Sequence, residues 1–522
     1  MEKVQRKDFD VIVIGGGIAG LIAGLYLQKQ GKRSLILEHG RQVGGNMSGI
    51  WRKGFYFDCG DQSTENVGVL FPLLQDLGLY DPDEWIRTRF RWATPDLDAP
   101  FWDYDQLRDD FKKAFPGSTR GLDRWFDYIV SACLNMRKMF GGGPQAIVLD
   151  GWEKVRANLR MMSHAGFFAR RGREMIKTTG DEKALELFAD EPRLLYLCGE
   201  SSLRNVPLLM HYIFWYTFTE DYWYPRAGLQ GFMNKLADAY RERGGEIRFQ
   251  STVDRVITSG DIATEVETTG GERFRADYFI NAGNLKRLIN KMLDRPEKWD
   301  FRERQLFSAG QLTPAVCTAF LGLDMEAGEL QKHMKTNHTI YWRTYETAAR
   351  DIYDPEAHNK GWSFISSPSL DLPHLAPEGK SSLVVQVFVS YHWQNGWGTG
   401  SADPMARSPE YREMKQKVLD DIIRQTEYII PGLSQRVIYK ELATPRSMAR
   451  WTLNEEGAIM GWTYDFFQSP LKDKYFCLQS SIKNLYNAGH YAIWPGGVVF
   501  SAVSGRLVAK GIYQGFLRQL IF

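Results

Sequence analysis

Three groups of residues in this chain have types and spacings that can do chemistry. Gly15, Gly17 and Gly20 satisfy G-x-G-x-x-G, Glu38 follows them, and a second glycine turn, Pro495-Gly496-Gly497, stands near the far end with His490, Tyr491 and Trp494 beside it. In such a loop the first glycine permits a tight bend and the second lets backbone N–H groups approach a pyrophosphate. The third lets the following helix pack on the preceding strand. Ile18 and Ala19 open that helix, whose N-terminus carries about half a positive charge and favours phosphate. Glu38 can accept hydrogen bonds from both ribose hydroxyls, and its charge argues against a 2′-phosphate. The ligand this pattern predicts is an adenine dinucleotide with a free ribose, FAD or NAD. His39, Arg41, Gly44, Gly45 and Asn46 come next. A second glycine turn so soon after Glu38 suits backbone lying along an extended cofactor and favours FAD.

These residues need particular elements to hold them. A β-branched run over 10–14 reads as a buried parallel strand, 21–30 as a helix stopped by Gly31, and 34–37 as a second strand ending on Glu38. Residues 54–60 read as a short strand and turn. From 83 to 221 the pattern is mostly helical, with amphipathic helices over 105–115 and 122–139 broken by Gly141 to Pro144. Residues 152–177 interleave Lys154, Arg156, Arg160, Arg170, Arg171, Arg173 and Lys177 with apolar side chains. That stretch is either the solvated face of a packed helix or a surface for an anionic membrane. The most aromatic segment, 208–218, contains His211, Tyr212, Trp215 and Tyr216, and is either core helix or the wall of an apolar pocket.

Strand and helix signals then return. A helix over 232–243 and strands over 246–249, 253–257 and 273–282 lead to Asn281-Ala282-Gly283, a strand end suited to packing against a cofactor. Runs at 315–323 and 383–389 read as strands, 410–429 as a helix, and Thr444-Pro445 as the start of an extended stretch. The 457–461 turn is placed to approach a ligand. A last strand ends at Gly489, and Pro495 to Val498 opens the final helix. In a flavoenzyme that helix N-terminus stabilises negative charge at the N1–C2=O edge of the ring. The predicted fold class is α/β: a discontinuous Rossmann-like FAD-binding domain (1–81, 222–290 and 441–522) with an interleaved α+β substrate domain (82–221 and 291–440).

Composition bounds the function. At 522 residues the chain exceeds a single core, and 43% hydrophobic with 25% charged residues is ordinary for a globular protein. A net charge of +2 offers no bulk attraction to nucleic acid, and none is expected as a partner. The five cysteines show no C-x-x-C spacing, so neither a disulfide framework nor a metal site is expected and a reducing compartment is the default. The charged opening residues lack the apolar core of a signal peptide, and no run of about 18 apolar residues exists. A cytoplasmic protein, with a peripheral membrane location open to it, is the expectation.

The stretches Val11–Gly45, Gly54–Gly60, Tyr224–Ala282 and Asn484–Gly511 resemble, in order, the phytoene desaturase-like branch of the FAD-dependent amine oxidase superfamily. That branch includes carotenoid desaturases, carotene isomerases and retinol saturases. The resemblance covers roughly a third of the chain, all on the cofactor side. It implies that Val253 holds the adenine through its backbone, and that Arg41 serves the adenosine half of FAD unless it is a surface cation. Three stretches depart from the family pattern: Asn46 where an arginine is common, Asp61 where the Asp-x-Gly-Pro motif has proline, and the C-terminal turn, with His490, Tyr491 and Trp494 where members vary.

What the resemblance implies chemically is hydride exchange between flavin N5 and an unactivated carbon of a long apolar substrate, a polyene, isoprenoid or lipid. Desaturation, saturation and redox-neutral isomerisation by reduced flavin all stay open, as does the electron acceptor. His490 either relays a proton near neutral pH or braces the turn through its hydrogen bonds, and Trp494 packs on the ring. His211, Tyr212, Trp215 and Tyr216 are candidates to line the substrate tunnel. Two rival readings are a flavin amine oxidase, which needs an aromatic cage, and a non-enzymatic binder of prenylated proteins of the GDP-dissociation inhibitor type.

Overall fold

The computed structural model describes residues 8–163, 165–199, 206–345, 354–463 and 477–514. The first strand, Phe9–Ile14, feeds the helix Ile18–Lys29, which crosses back so that Ser34–Leu37 pairs parallel to it. A parallel pair needs a crossover of this kind, and a helix on the sheet face supplies it. Val11, Ile12, Val13, Leu35 and Ile36 are fully buried, as expected for strands covered on both faces.

The remaining strands of this sheet come from far along the chain. Glu246–Arg248 pairs with Ser34–Leu37, and Arg273–Asn281 pairs with Phe9–Ile14 in register Ile14 to Asn281. Leu485–Asn487 pairs parallel to Arg273–Asn281, and the antiparallel strands Ile262–Thr268 and Val253–Ser259 complete the edge. The closing helix, Gly497–Gln514, packs against the first helix, where a Cβ at Gly505 would run into the Ala19 carbonyl oxygen.

A second seven-stranded sheet runs Val437–Ala443, Val316–Leu323, Ser381–Phe388, Trp362–Ser366, His338–Trp342, Phe90–Ala93, Asp98–Pro100. Its last two strands fall in the stretch read as mostly helical. Phe90–Ala93 pairs parallel with His338–Trp342, a partner that local periodicity cannot reveal. Val437–Ala443 straddles the expected boundary at 440.

The helix Thr119–Gly141 buries Leu122, Phe126, Ile129, Cys133 and Met136 on one face, at helical spacing, and packs on Leu208–Glu220. One expectation is overturned here. The stretch after Thr444 is the helix Pro445–Thr452, closed by a capping box in which Thr444 and Ser447 exchange side-chain-to-backbone bonds, with proline in its first turn. The 152–177 stretch is two helices, Gly151–Ser163 and Ala165–Lys177.

Candidate active site

The first cradle is the turn after the first strand. Gly15 has a φ of +106°, a region that L side chains avoid, and a Cβ at Gly20 would strike the Gly15 carbonyl oxygen. Gly17 is different. Its φ of −73° is ordinary, and nothing lies within 4 Å of where its Cβ would be. That empty volume belongs to the cavity, bordered by Ile18 and Ala19 in the helix's first turn, where N–H groups have no partner inside the helix.

Glu38 closes the next part. Its Oε2 accepts from the Gly16 N–H at 2.7 Å and its Oε1 from the Gly40 N–H at 2.6 Å. Burial raises its carboxyl and the two N–H bonds oppose that rise. Each oxygen keeps a second lone pair, which is what a ribose diol needs. Beside it, His39 Nε2 donates to the Arg450 carbonyl at 3.0 Å, so its Nδ1 accepts from the Thr252 hydroxyl at 2.7 Å. Asn46 donates through Nδ2 to the Ile459 carbonyl at 2.9 Å, while its buried Oδ1 has no partner.

The second cradle comes from the other end of the chain. Gly496 and Gly497 have φ of +81° and +78°, so only glycine enters the closing helix this way without strain. Gly489 N–H donates to Ser504 Oγ at 2.7 Å, tying the turn to the helix. Gly489, His490, Gly496, Gly497 and Val498 line one cavity of about 830 Å³ together with Gly15, Gly17, Ile18, Ala19, Glu38, His39, Gly44, Gly45, Asn46, Val253 and Ala282. The residues fit an extended dinucleotide flavin: two glycine cradles, a carboxylate with free lone pairs, and an orphaned acceptor at Asn46 that a bound N–H or O–H donor would satisfy.

From the cradles the same cavity continues into an aromatic space. Trp92 and Trp215 stack there with centroids 5.0 Å apart and an interplanar angle of 7°, and Phe218, Tyr222 and Phe364 extend the wall. His211 lines it too. Its Nε2 accepts from the Trp215 indole N–H at 3.1 Å, and burial lowers the imidazole to about 4.

Several candidates lie elsewhere. Tyr212 and Tyr216 are on the helix Leu208–Glu220 but turn into the main core rather than the cavity, because a helix shows each neighbour one face only. Tyr491 is buried in the core beneath the first sheet, edge-on to Trp462 at 5.3 Å, and its hydroxyl accepts from Asn284 Nδ2 at 3.1 Å. Trp494 packs on that same core and donates to the Thr463 carbonyl at 3.4 Å, without lining the cavity. Arg41 is exposed and outside the lining. Asn281 and Gly283 stand just behind it, Asn281 Oδ1 accepting from the Gly283 N–H at 3.3 Å. His490 faces the cavity, but burial lowers its imidazole to about 4, so at neutral pH it carries no proton to give as an imidazolium.

Sequence reasoning missed an acidic group. Asp61 and Glu65 both line the cavity, and burial raises their carboxyls to about 8 and about 7. Asp58 sits behind them, raised by burial to about 7 although Tyr224, Tyr56 and the Leu229 N–H all donate to it. The available signal was the family departure at Asp61. The helix Pro445–Thr452 was missed too, and its Met448 and Trp451 form part of the wall.

A family model described as flavin containing amine oxidoreductase matches residues 18–512. The chain is 23% identical over 525 residues to an all-trans-retinol 13,14-reductase of Danio rerio, covering 92% of this chain and 82% of that protein. It is also 23% identical over 533 residues to a chloroplastic prolycopene isomerase of an Oncidium hybrid cultivar, covering 97% and 84%. Among solved structures, cyclohexylamine oxidase from Brevibacterium oxydans IH-35A shares the fold with a TM-score of 0.60 at 14% identity, covering 98% of this chain and 99% of that one.

Proposed function

The chain belongs to the flavin-containing amine oxidoreductase family, in its phytoene desaturase-like branch, as a FAD-dependent enzyme, and from that premise we propose that it exchanges hydrogen across a carbon–carbon bond of a long polyene, isoprenoid or lipid. One observation carries this reading: a single cavity runs from the glycine cradles into a wall of stacked tryptophans. FAD, when bound, supplies the hydride acceptor or donor.

The chain's own residues supply the rest. N–H groups at Gly17, Ile18 and Ala19 would hold the diphosphate, Glu38 would take the ribose hydroxyls, and the backbone at Val253 would hold the adenine. The positive end of the closing helix, at Gly497 and Val498, lines the cavity and would stabilise negative charge on a bound flavin. Trp92, Trp215 and His211 align the substrate and keep water out, while Tyr212 and Tyr216 support that wall from behind. In this reading the segments 1–81, 222–290 and 441–522 form the cofactor domain. The segments 82–221 and 291–440 form the substrate domain, extended to include the strand ending at Ala443.

Substrate enters past the helix Gly151–Ser163, which contributes Lys154, Asn158 and Met161 to the cavity. Its outer face carries Trp152, Val155, Leu159 and Met162, all exposed and at the spacing of one helical stripe. Arg156 on the same helix, and Arg170, Arg173 and Lys177 on the helix Ala165–Lys177, are exposed as well. An apolar stripe accompanied by cations suits the surface of an anionic bilayer, from which an apolar substrate is drawn. No helix among the described residues is long and apolar enough to cross a membrane.

The similarity to a prolycopene isomerase supports a second reading, isomerisation without net redox change. Anaerobic incubation of the FAD-loaded protein with all-trans-retinol, prolycopene and lycopene, with the flavin oxidised or reduced, separates the two. A product differing by two mass units supports hydrogen exchange, and an isomer of unchanged mass supports isomerisation. Conversion of none of these probes, with oxidation of amines instead, rejects both.

A further inference from the structure

The mechanism above names a hydride partner and no proton partner. Exchange of hydrogen across a carbon–carbon bond needs both, and burial keeps the imidazoles of His211 and His490 neutral, so neither donates as an imidazolium at neutral pH. The loop after strand Phe55–Asp58 offers two other groups. Asp61 and Glu65 line the cavity that holds both cradles and the aromatic wall. Glu65 stands at the mouth of the second cradle: its Oε1 lies 3.6 Å from where a Cβ on Gly497 would be. Its backbone is held by pairing with Tyr222, whose side chain is part of the wall. Asp61 is fixed by its N–H to the Asn46 carbonyl at 2.9 Å and by its Oδ1, which accepts from the Gln62 N–H at 3.0 Å.

Neither carboxyl has a cation within ion-pair distance among the described residues. Asp61 has Glu65 and Asp58 as its charged neighbours and Glu65 has Asp221, with Tyr222 beside both, while His211, His490, Lys154 and Arg287 line the same cavity. Asp221 is itself occupied, accepting from the Val67 N–H and from Trp223 Nε1, with Arg87 the charge nearest to it. A buried carboxyl whose nearest charged neighbours are acids keeps its proton into the neutral range, where a general acid or base is most effective.

We propose that Glu65 is the proton donor and acceptor of this site. The proposal rests on the reading of the preceding subsection. In saturation, a hydride from reduced flavin adds to one carbon of a C=C bond, the Glu65 O–H bond breaks, and its proton joins the adjacent carbon. Glu65 is left as a carboxylate and recovers a proton from water. Desaturation is the reverse: one C–H bond yields its hydride to oxidised flavin, and the neighbouring C–H yields its proton to the Glu65 carboxylate. In isomerisation one proton is added and one removed, with no net change.

The test uses the FAD-loaded protein and its Glu65→Gln and Glu65→Asp variants, with all-trans-retinol and prolycopene as probes. Glu65→Gln is expected to keep its flavin and its KM while kcat falls by about 100-fold or more. Glu65→Asp is expected to recover part of that loss. Infrared spectra are expected to show a carboxylic-acid C=O band at about pH 6 in the wild type that is missing from Glu65→Gln. A Glu65→Gln variant within about threefold of wild type, or one impaired in KM alone, overturns the proposal. If the wild type converts neither probe, the preceding reading falls. The infrared comparison then decides the present one, and a Glu65 already ionised at about pH 6 overturns it.

Discussion

Gly505 in the closing helix lies directly on the carbonyl of Ala19 in the first helix, with no room for even a methyl group between them. Residues from opposite ends of the chain therefore meet backbone to backbone. That contact sets the distance between the two glycine cradles. Replacing Gly505 with leucine is expected to push the helices apart, costing about 1–3 kcal/mol of stability. Thermal unfolding and the flavin retained after gel filtration check it. A Gly505→Leu protein that stays yellow and melts like the wild type refutes the role given to this crossing.

Gly17 makes the complementary prediction. Its backbone is unstrained and its Cβ position is empty, so Gly17→Ala is expected to leave the flavin-free protein within about 0.5 kcal/mol of wild type. The methyl group would occupy cofactor space and weaken FAD binding by about tenfold or more, equivalent to about 1.4 kcal/mol. Titrating the flavin-free protein with FAD reads this directly, and unchanged affinity counts against the cradle.

Glu38 accepts an N–H on each of its oxygens. In Glu38→Gln one of those positions becomes an NH₂ group facing another donor. The expected cost is about 1–3 kcal/mol, shared between folding and FAD affinity. Denaturant melts with and without FAD separate the two parts.

Stability without flavin should depend on pH in a definite direction. Asp58 is raised from 3.8 to about 7, Asp61 from 3.8 to about 8 and Glu65 from 4.5 to about 7, in each case chiefly by burial. The folded state therefore binds more protons than the unfolded state between those values. The contribution is fully present below the unfolded pKa values and is lost as pH rises through about 7 to about 8. The melting temperature of the flavin-free protein is expected to fall across that window, and the Asp61→Asn, Glu65→Gln double variant to fall less. Equal slopes for the two proteins contradict the buried-acid assignment.

Trp152 and Leu159 are 79% and 60% exposed on the helix that lines the cavity through Lys154, Asn158 and Met161. Changing both to serine removes apolar surface without touching a core. Sedimentation with anionic vesicles is expected to drop about tenfold or more, and the wild-type binding to weaken with added salt. Equal binding to neutral vesicles, or none to either kind, removes the membrane-facing role.

Some of this molecule was legible in its residues because the signals are local. The strand over Phe9–Ile14, the glycine loop, the helix and Glu38 lie within one short stretch, and each follows from hydrogen bonding and sterics among near neighbours. The helix Pro445–Thr452 carried a local signal as well, Thr-Pro with serine at the third helical position, but the stretch was read as extended. Phe90–Ala93 had none. Its identity as a strand depends on His338–Trp342, which only the folded chain brings alongside.

The amino-acid sequence by itself determined that two glycine turns exist, that one leads from a buried strand into a helix and ends near an acid, and that a flavin dinucleotide suits them. Only the tertiary structure decided which side chains share the cavity with that cofactor. Of four aromatic-segment candidates on one helix, His211 and Trp215 face the cavity while Tyr212 and Tyr216 face the core. The reason is physical: helical periodicity says which residues share a face, but the neighbours that bury that face come from distant parts of the chain. The same holds for Asp61 and Glu65, ordinary acids in the sequence, whose proton affinity comes from the walls that fold around them.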